Sequence, residues 1–158
     1  MEFYTMGVYG LKDHEFFGKL VENGIDTFID IRRRRAVRGS EYVFVNSNRL
    51  QNKLKELGIN YIHILDLAPT NEIRDAQKKA DAQTGTAKRT REELGPVFKH
   101  RYEKEILEKY DIGQLIDQLV QIGCRKALLF CVERQPNACH RSMVANKLQH
   151  LNYSVHHL

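Results

Sequence analysis

The stretch "IDTFIDI" (Ile25–Ile31) decides the fold of this chain. It is mostly apolar and rich in β-branched residues, a composition typical of a parallel strand that is buried on both faces. A helical pattern of apolar residues precedes it and stops at Gly24, and a second one begins at Ser47 or Asn48 and stops at Gly58. A buried strand between two helices predicts the repeating unit of an α/β sheet.

The same alternation extends in both directions along the chain. Further strands are predicted over residues 2–6, 59–65, 126–131 and 153–157, and further helices after Asp111 and from about Cys139 to His150. Together these elements predict a Rossmann-like α/β fold, with a mainly parallel sheet of about five strands and helices on both faces.

The alternation of strands and helices is interrupted between residues 68 and 110, where two polar, highly charged helical segments replace a single crossover helix. We interpret residues 1–158 as one α/β domain and residues 68–110 as a helical insertion within it. The insertion can serve as a lid over one rim of the sheet, or it can be a solvated helical hairpin without a role. The sequence leaves both interpretations open.

Composition is that of an ordinary globular protein, with 42% hydrophobic and 28% charged residues. No apolar run approaches the roughly 18 residues that a membrane-spanning helix needs, and the N-terminus lacks the pattern of a secretory signal. We therefore expect a cytoplasmic protein without a membrane partner. Its three cysteines are expected to be reduced thiols: Cys124, Cys131 and Cys139.

A basic loop follows the strand Ile25–Ile31. Five arginines, Arg32 to Arg35 and Arg38, stand within seven residues that contain no acid, and they equal the whole formal net charge of +5. Such a loop can attract the phosphates of a nucleotide or of a nucleic-acid backbone. Tyr42 and Phe44 follow the loop and offer stacking surfaces for bases.

The carboxyl ends of the predicted strands bring together most of the chain's chemically active side chains. Ligands of an open α/β sheet bind beyond these ends. The residues that follow each strand are therefore candidate site residues even where no known motif is present. They are Gly7 to Gly10 after the first strand, Asp30 and the arginines after the second, His63 and Asp66 after the third, and Cys131 to Ser142 after the fourth. We expect the functional site at this rim.

The stretch "FCVERQPNACHRS" (Phe130–Ser142) contributes most of these groups and admits several interpretations. If the last helix begins near Cys139, its free backbone N–H groups and Arg141 form an anion site. A thiol at a helix start has a lowered pKa, so Cys131 or Cys139 can be a thiolate nucleophile; alternatively, both are buried packing residues. The phosphatase pattern, with arginine six residues after the cysteine, is absent because Asn137 stands there.

A metal site is a further interpretation of the same stretch. Zinc accepts side chains of the types found in Cys131, Glu133, Cys139, His140 and His63. However, their spacing matches no common zinc motif, and adjacent Cys139 and His140 are expected to point in different directions on a helix. We therefore assign no metal ligand from the sequence.

Two acidic residues of this rim are expected to have cationic partners. Asp30 lies inside a buried strand, where an unpaired carboxylate is costly, so we expect it to bind Arg32, Arg141 or a backbone group. Glu133 follows the fourth strand, and a carboxylate near Arg141 can act as a general base or form a structural ion pair.

Three segments, "FIDIR", "INYIHILDL" and "FCVERQPNACHRS", resemble the domain-of-unknown-function family 488 in their order and distances. The resemblance extends from Tyr4 to the end of the chain. It covers the residues Asp30, Arg32, Tyr61, His63, Tyr102, Cys131, Glu133, Cys139, His140 and Arg141. It implies a Rossmann-like α/β sandwich with a site at these residues, and it implies no established reaction.

The chain departs from the family pattern in two places. Many members have Gly-His-Ser after the first strand, where this chain has Gly7-Val8-Tyr9, and many have Leu-Gly-Gly where this chain has Leu67-Ala68-Pro69. A role for a histidine at the first strand is therefore not carried over. "FIDIR" also resembles the Asp-x-Arg of rhodanese-type sulfurtransferase domains, over a short stretch only.

These patterns favour a pocket at the strand rim that recognises phosphate or a nucleotide. The protein can be an enzyme that acts on a phosphorylated or nucleic-acid substrate. The expected catalytic residues are His63, Glu133 and Cys139. The expected binding residues are Asp30, Arg32, Arg35, Tyr61, Tyr102, His140, Arg141 and Ser142.

Two alternatives stay open. One is a non-catalytic nucleic-acid-binding protein that uses the loop Arg32–Arg38 with Tyr42 and Phe44. The other is a thiol or sulfur-transfer enzyme that uses Cys131 or Cys139. The sequence indicates no particular cofactor, substrate or oligomeric state.

Overall fold

Five parallel strands form a single sheet at the centre of the protein, which the computed structural model describes over all of residues 1–158. The strands are β1 (Glu2–Met6), β2 (Thr27–Asp30), β3 (Asn60–His63), β4 (Lys126–Phe130) and β5 (Val155–His157). Their order across the sheet is β3-β2-β4-β1-β5, and every neighbouring pair is parallel. The predicted α/β fold is therefore confirmed.

Six helices connect and cover the strands: α1 (Asp13–Glu22), α2 (Ser47–Glu56), α3 (Asn71–Thr84), α4 (Pro96–Tyr102), α5 (Ile112–Gln121) and α6 (Arg141–His150). A π-helical turn (Glu103–Leu107) continues α4 directly. The last helix begins at Arg141 rather than at Cys139, because Pro136–Ala138 form a 3-10 turn and Cys139 has an extended backbone. None of these helices has both the length and the apolar character that crossing a membrane requires.

Two apolar cores lie on opposite faces of the sheet, because successive residues of a strand point to opposite sides. Phe28 and Leu128 belong to the core that α1 and α2 cover, whereas Ile29 and Leu129 belong to the core that α5 and α6 cover. All four side chains are fully buried. The strands β2 and β4 are thus buried on both faces, which explains why their sequences are nearly continuous apolar runs.

Residues 68–110 pack against the core that α5 and α6 cover. Ile73 of α3 and both Phe98 and Tyr102 of α4 are buried there. The Tyr102 hydroxyl donates a hydrogen bond to the Leu67 carbonyl oxygen at 2.6 Å. The segment is therefore a packed part of the fold, and its function as a lid stays a prediction.

Asp26 connects the start of β2 to the start of β4. Its Oδ2 atom accepts hydrogen bonds from the backbone N–H groups of Arg125 at 2.9 Å and Lys126 at 3.1 Å, and Oδ1 accepts one from the Thr27 hydroxyl at 2.9 Å. Burial by itself would raise the pKa of this carboxyl, but the hydrogen-bond donors outweigh burial and lower the pKa. The ionised side chain therefore holds the two strands in register.

We predict that Asp26→Asn lowers the free energy of unfolding by about 1–2 kcal/mol at neutral pH, because a charged acceptor makes the stronger hydrogen bonds. The folded-state pKa lies below the unfolded value of about 3.9, so this contribution is present above that pH and is lost as the pH falls through the folded pKa. Urea unfolding of both proteins across the acid range measures it. A difference that stays constant in acid would contradict this role of Asp26.

Candidate functional site

A cavity of about 340 Å³ lies beyond the carboxyl ends of β2 and β4. One wall is the arginine loop, which we define as residues 32–38. A second wall comes from residues 69–98, which include α3, and a third from residues 131–133 with His140. Tyr9, which follows β1, completes the lining. The cavity occupies the rim at which the sequence predicts a site.

The lining of this cavity is strongly basic. It contains two acidic residues, Asp81 and Glu133. Against them stand nine cationic residues: Arg32, Arg33, Arg34, Arg38, Arg74, Lys78, Lys88, Arg89 and Arg91. We call it the basic cavity. Because field lines concentrate in a cleft lined by one sign of charge, such a cavity attracts anions.

The two acids of the basic cavity are neutralised by neighbouring cations. Asp81 pairs with Arg91 at 2.7 Å, and Glu133 pairs with Lys88 at 3.4 Å and with Arg91 at 3.5 Å. Four further arginines of the lining form no ion pair: Arg33, whose Nε donates to the Pro69 carbonyl oxygen at 2.6 Å, and Arg34, Arg38 and Arg74. Their charge is therefore free to act on a ligand.

Arg32 is the only fully buried cation of the lining, with 3% of its surface exposed. Its Nε and Nη2 atoms donate to the two carboxylate oxygens of Asp30 at 2.9 and 2.7 Å, and Nη2 also donates to the Val45 carbonyl oxygen at 3.0 Å. Asp30 is expected to bind Arg32, Arg141 or a backbone group, and the structure shows that its cationic partner is Arg32. The Nη1 atom is buried without a hydrogen-bond partner, which costs free energy that a ligand oxygen can recover.

The side chains of Cys131, Cys139 and His140 meet at the edge of the cavity, and we call them the thiol–histidine cluster. Their sulfur and nitrogen ligand atoms all lie within 4.8 Å of one another. His140 Nδ1 lies 4.0 Å from Cys131 Sγ and 3.7 Å from Cys139 Sγ. The expectation that Cys139 and His140 diverge is wrong, because both precede the first residue of α6 and Cys139 has an extended backbone.

Protonation of this cluster weighs against a thiolate nucleophile at Cys131. A hydrogen bond with Cys139, together with burial, raises the pKa of Cys131 well above its ordinary value. A neutral thiol is a poor nucleophile. The Cys131 thiol instead donates a hydrogen bond to Glu133 Oε2 at 3.1 Å.

Glu133 is an anion held by cations. Burial by itself would raise the pKa of this carboxyl, but the charge of Lys88, the hydrogen bond from Cys131 and the nearby His140 lower it to about 2. A carboxylate of such low pKa is a weak proton acceptor at neutral pH. Of the two roles expected for Glu133, this favours the structural ion pair over the general base.

Arg141 lies outside the cavity lining, contrary to expectation. It is 1% exposed, and its guanidinium donates to the backbone carbonyl oxygens of Glu133 at 2.5 Å and Arg134 at 2.9 Å. The backbone N–H and the hydroxyl of Ser142 both bind the Cys139 carbonyl oxygen, at 3.2 and 3.0 Å. Both terminal nitrogens of Arg141 and both donors of Ser142 are therefore already used within the protein, whereas Arg141 Nε is buried without a partner.

Tyr61 and His63 contact the start of the arginine loop from β3, and Arg35 belongs to the loop itself; none of the three lines the cavity. His63 Nε2 lies 2.9 Å from the Arg32 carbonyl oxygen, and the Tyr61 hydroxyl donates to Asp30 Oδ2 at 2.9 Å. Burial, reinforced by the charge of Asp30 and opposed by Arg35, raises the pKa of Tyr61 to about 12. These contacts fix the backbone and the ion pair of the loop.

Tyr102 positions His140 from the side of α4 without reaching the cavity. The centroids of the Tyr102 and His140 rings are 5.4 Å apart, and Tyr102 stacks on Phe98 at 5.8 Å. Burial raises the pKa of the Tyr102 hydroxyl well above its ordinary value, so the group stays a hydrogen-bond donor. His140 is the one predicted binding residue besides Arg32 that lines the cavity.

Tyr42 offers no free stacking surface, and Phe44 is partly buried. Tyr42 is 4% exposed, and its ring packs against Tyr9 at 5.3 Å. Phe44 packs against Phe16 at 5.7 Å and against Phe17 at 6.1 Å. This packing reduces the aromatic surface on which the nucleic-acid alternative depends.

The sequence does not indicate five of the lining cations: Arg74, Lys78, Lys88, Arg89 and Arg91. They stand in a segment in which charges of both signs are mixed, so composition shows no local excess. The interpretation of residues 68–110 as a cover over the rim is the only signal in the sequence that points to them.

Gly7, directly after β1, touches the turn that carries Glu133. A Cβ atom at residue 7 would lie 1.8 Å from the Glu133 carbonyl oxygen, which is also the acceptor of the Arg141 guanidinium. The turn after β4 can therefore keep its place only if residue 7 has no side chain.

We predict that Gly7→Ala lowers the free energy of unfolding by about 1–3 kcal/mol or more, because two backbone segments must separate. Gly18→Ala is the matched control: it lies within α1, the nearest atom to its new Cβ is 3.9 Å away, and alanine favours a helix by about 1 kcal/mol. Urea unfolding of both variants should give effects of opposite sign. Equal stability of Gly7→Ala and the unmodified protein would show that this contact is unimportant.

Comparison with known families gives one match that covers most of the chain. The family described as Domain of unknown function DUF488 matches residues 12–148, most of the chain. The matched range contains β2, β3, β4 and every residue of the cavity lining except Tyr9. No curated protein and no solved structure matches the chain. The chain therefore belongs to the DUF488 family.

Proposed function

We propose that the basic cavity binds a phosphorylated small molecule of nucleotide size. The observation that carries this proposal is the buried Nη1 atom of Arg32, a cationic donor without a partner in a residue that lines the cavity. A phosphate oxygen would accept a charge-assisted hydrogen bond from this atom. The unpaired arginines of the lining would share the remaining negative charge.

The size and lining of the cavity support a small ligand. Its volume of about 340 Å³ falls in the range of roughly 300–1,000 Å³ that ligand pockets occupy. Leu94, Phe98 and Val132 supply apolar surface beside the cations, and Tyr9 supplies an aromatic ring. A ligand with a phosphate at one end and an apolar or aromatic part at the other fits this combination.

A nucleic-acid strand is the less favoured ligand. Residues 69–98 wall the cavity opposite the arginine loop, so the loop does not stand alone on an open surface. Of the two rings that would have to stack on bases, Tyr42 is buried and Phe44 is partly buried.

The three cysteines are free thiols, which fits the cytoplasm as the proposed location.

We predict that inorganic pyrophosphate and adenosine nucleotides bind the cavity, as isothermal titration calorimetry would measure. Arg74→Ala should weaken binding about tenfold, because one charge-assisted contact contributes about 1.4 kcal/mol or more. Arg49→Ala, which removes an exposed arginine outside the lining, is the matched control and should leave the affinity unchanged.

Three results would overturn the proposal. The first is a failure of all these anions to bind, and the second is equal binding by Arg74→Ala and the unmodified protein. The third is binding of a single-stranded oligonucleotide that pyrophosphate does not displace, which would favour the nucleic-acid alternative.

A further inference from the structure

We infer that the thiol–histidine cluster is a binding site for a divalent zinc ion, with Cys131 Sγ, Cys139 Sγ and His140 Nδ1 as its three protein ligands. All three residues are buried, at 5%, 1% and 5% exposure. Cysteine and histidine are the ligand types that zinc prefers, and two cysteines with one histidine are a known three-ligand set. The inference does not rest on the proposed anion-binding function of the cavity.

The distances within the cluster fit tetrahedral coordination. With zinc–sulfur and zinc–nitrogen bonds of about 2.3 and 2.0–2.1 Å, two ligands of a tetrahedral ion stand about 3.6 Å apart. His140 Nδ1 lies 3.7 Å from Cys139 Sγ and 4.0 Å from Cys131 Sγ, and the two sulfur atoms lie within 4.8 Å of each other, so movements of at most about 1 Å complete the tetrahedral arrangement. The site is therefore close to its liganded geometry.

The imidazole of His140 is held in the tautomer that a metal requires. Its Nε2 atom lies 3.0 Å from the Ile31 carbonyl oxygen. A carbonyl oxygen can only accept, so Nε2 carries a proton, and in the neutral form of the ring Nδ1 presents a lone pair to both sulfur atoms. Histidine ligands of metals nearly always donate their other N–H to a carboxylate or a backbone carbonyl in this way.

The backbone around the cluster brings the two halves of the site together. Arg141 binds the carbonyl oxygens of Glu133 and Arg134, which fixes the turn after Cys131 against the start of α6. The backbone N–H of Arg141 also lies 3.5 Å from Cys139 Sγ and donates to it. Such an N–H donor stabilises a thiolate, the form in which cysteine binds zinc.

Charge balance allows a cation to bind beside a basic cavity. On binding, the thiols of Cys131 and Cys139 each release a proton to solvent, and the two thiolates neutralise the dication. The cluster therefore gains no net charge. Because Cys131 and His140 line the cavity, water or a ligand atom could reach a bound ion from the cavity and supply a fourth ligand, as in catalytic zinc sites.

Cobalt titration of the chelator-treated, reduced protein tests the site. We expect one ion per chain, with the thiolate-to-cobalt charge-transfer absorption and the intense visible bands of a tetrahedral complex. Cys131→Ser and Cys139→Ser should each weaken binding at least about a hundredfold, more than the loss of an outer-shell partner costs. Cys124→Ser is the matched control, since Cys124 lies outside the cluster, and it should bind cobalt like the unmodified protein.

Thermal unfolding with and without added zinc provides a second readout for variants of altered stability. Zinc should raise the midpoint of the unmodified protein and of Cys124→Ser, and leave Cys131→Ser and Cys139→Ser unchanged. Cobalt binding without the thiolate absorption would overturn the inference, as would full binding by Cys139→Ser or absence of binding by the reduced, folded protein. Pyrophosphate titration of the metal-free protein reports separately on the proposed function, so the two can fail independently.

Discussion

The buried ion pair between Asp30 and Arg32 is the constraint on which the rest of the site depends. Asp30 ends β2 between two neighbouring strands, and its carboxylate also accepts the Tyr61 hydroxyl. Such a pair is seldom more stabilising than apolar packing, because removing two charges from water is costly. Its effect here is geometric: it holds the guanidinium 4.6 Å from the centroid of the Phe130 ring and leaves Nη1 as the one donor without a partner.

The same turn after β2 organises both features of the rim. Ile31, between the two members of the ion pair, supplies the carbonyl that orients the His140 imidazole. The arginine loop that begins at Arg32 then forms a wall of the basic cavity. An anion pocket and a thiol–histidine cluster thus share one backbone support. Glu133 connects them, because its carboxylate accepts a hydrogen bond from Cys131 and pairs with Lys88 and Arg91 of the cavity.

The sequence predicts the sheet well, but it predicts poorly where individual side chains point and which groups they contact. Continuous apolar runs such as β2 and β4 are a strong signal for strands buried on both faces, and parallel strands place their carboxyl ends together. The start of α6 is two residues later than predicted, and this small shift decides the site. Because the helix starts later, the side chains of Cys139 and His140 converge, and the Arg141 guanidinium binds backbone carbonyl oxygens instead of facing the cavity. Local pattern carries no information on such long-range contacts.

A crystal structure of the protein grown with pyrophosphate tests the central claim most directly, because it shows which atoms meet the anion. The account predicts a phosphate oxygen within hydrogen-bond distance of Arg32 Nη1, with Arg74 and Arg38 around the remaining oxygens. An anion bound only on the outer surface of the arginine loop, with Arg32 Nη1 hydrogen-bonded to water alone, would contradict it.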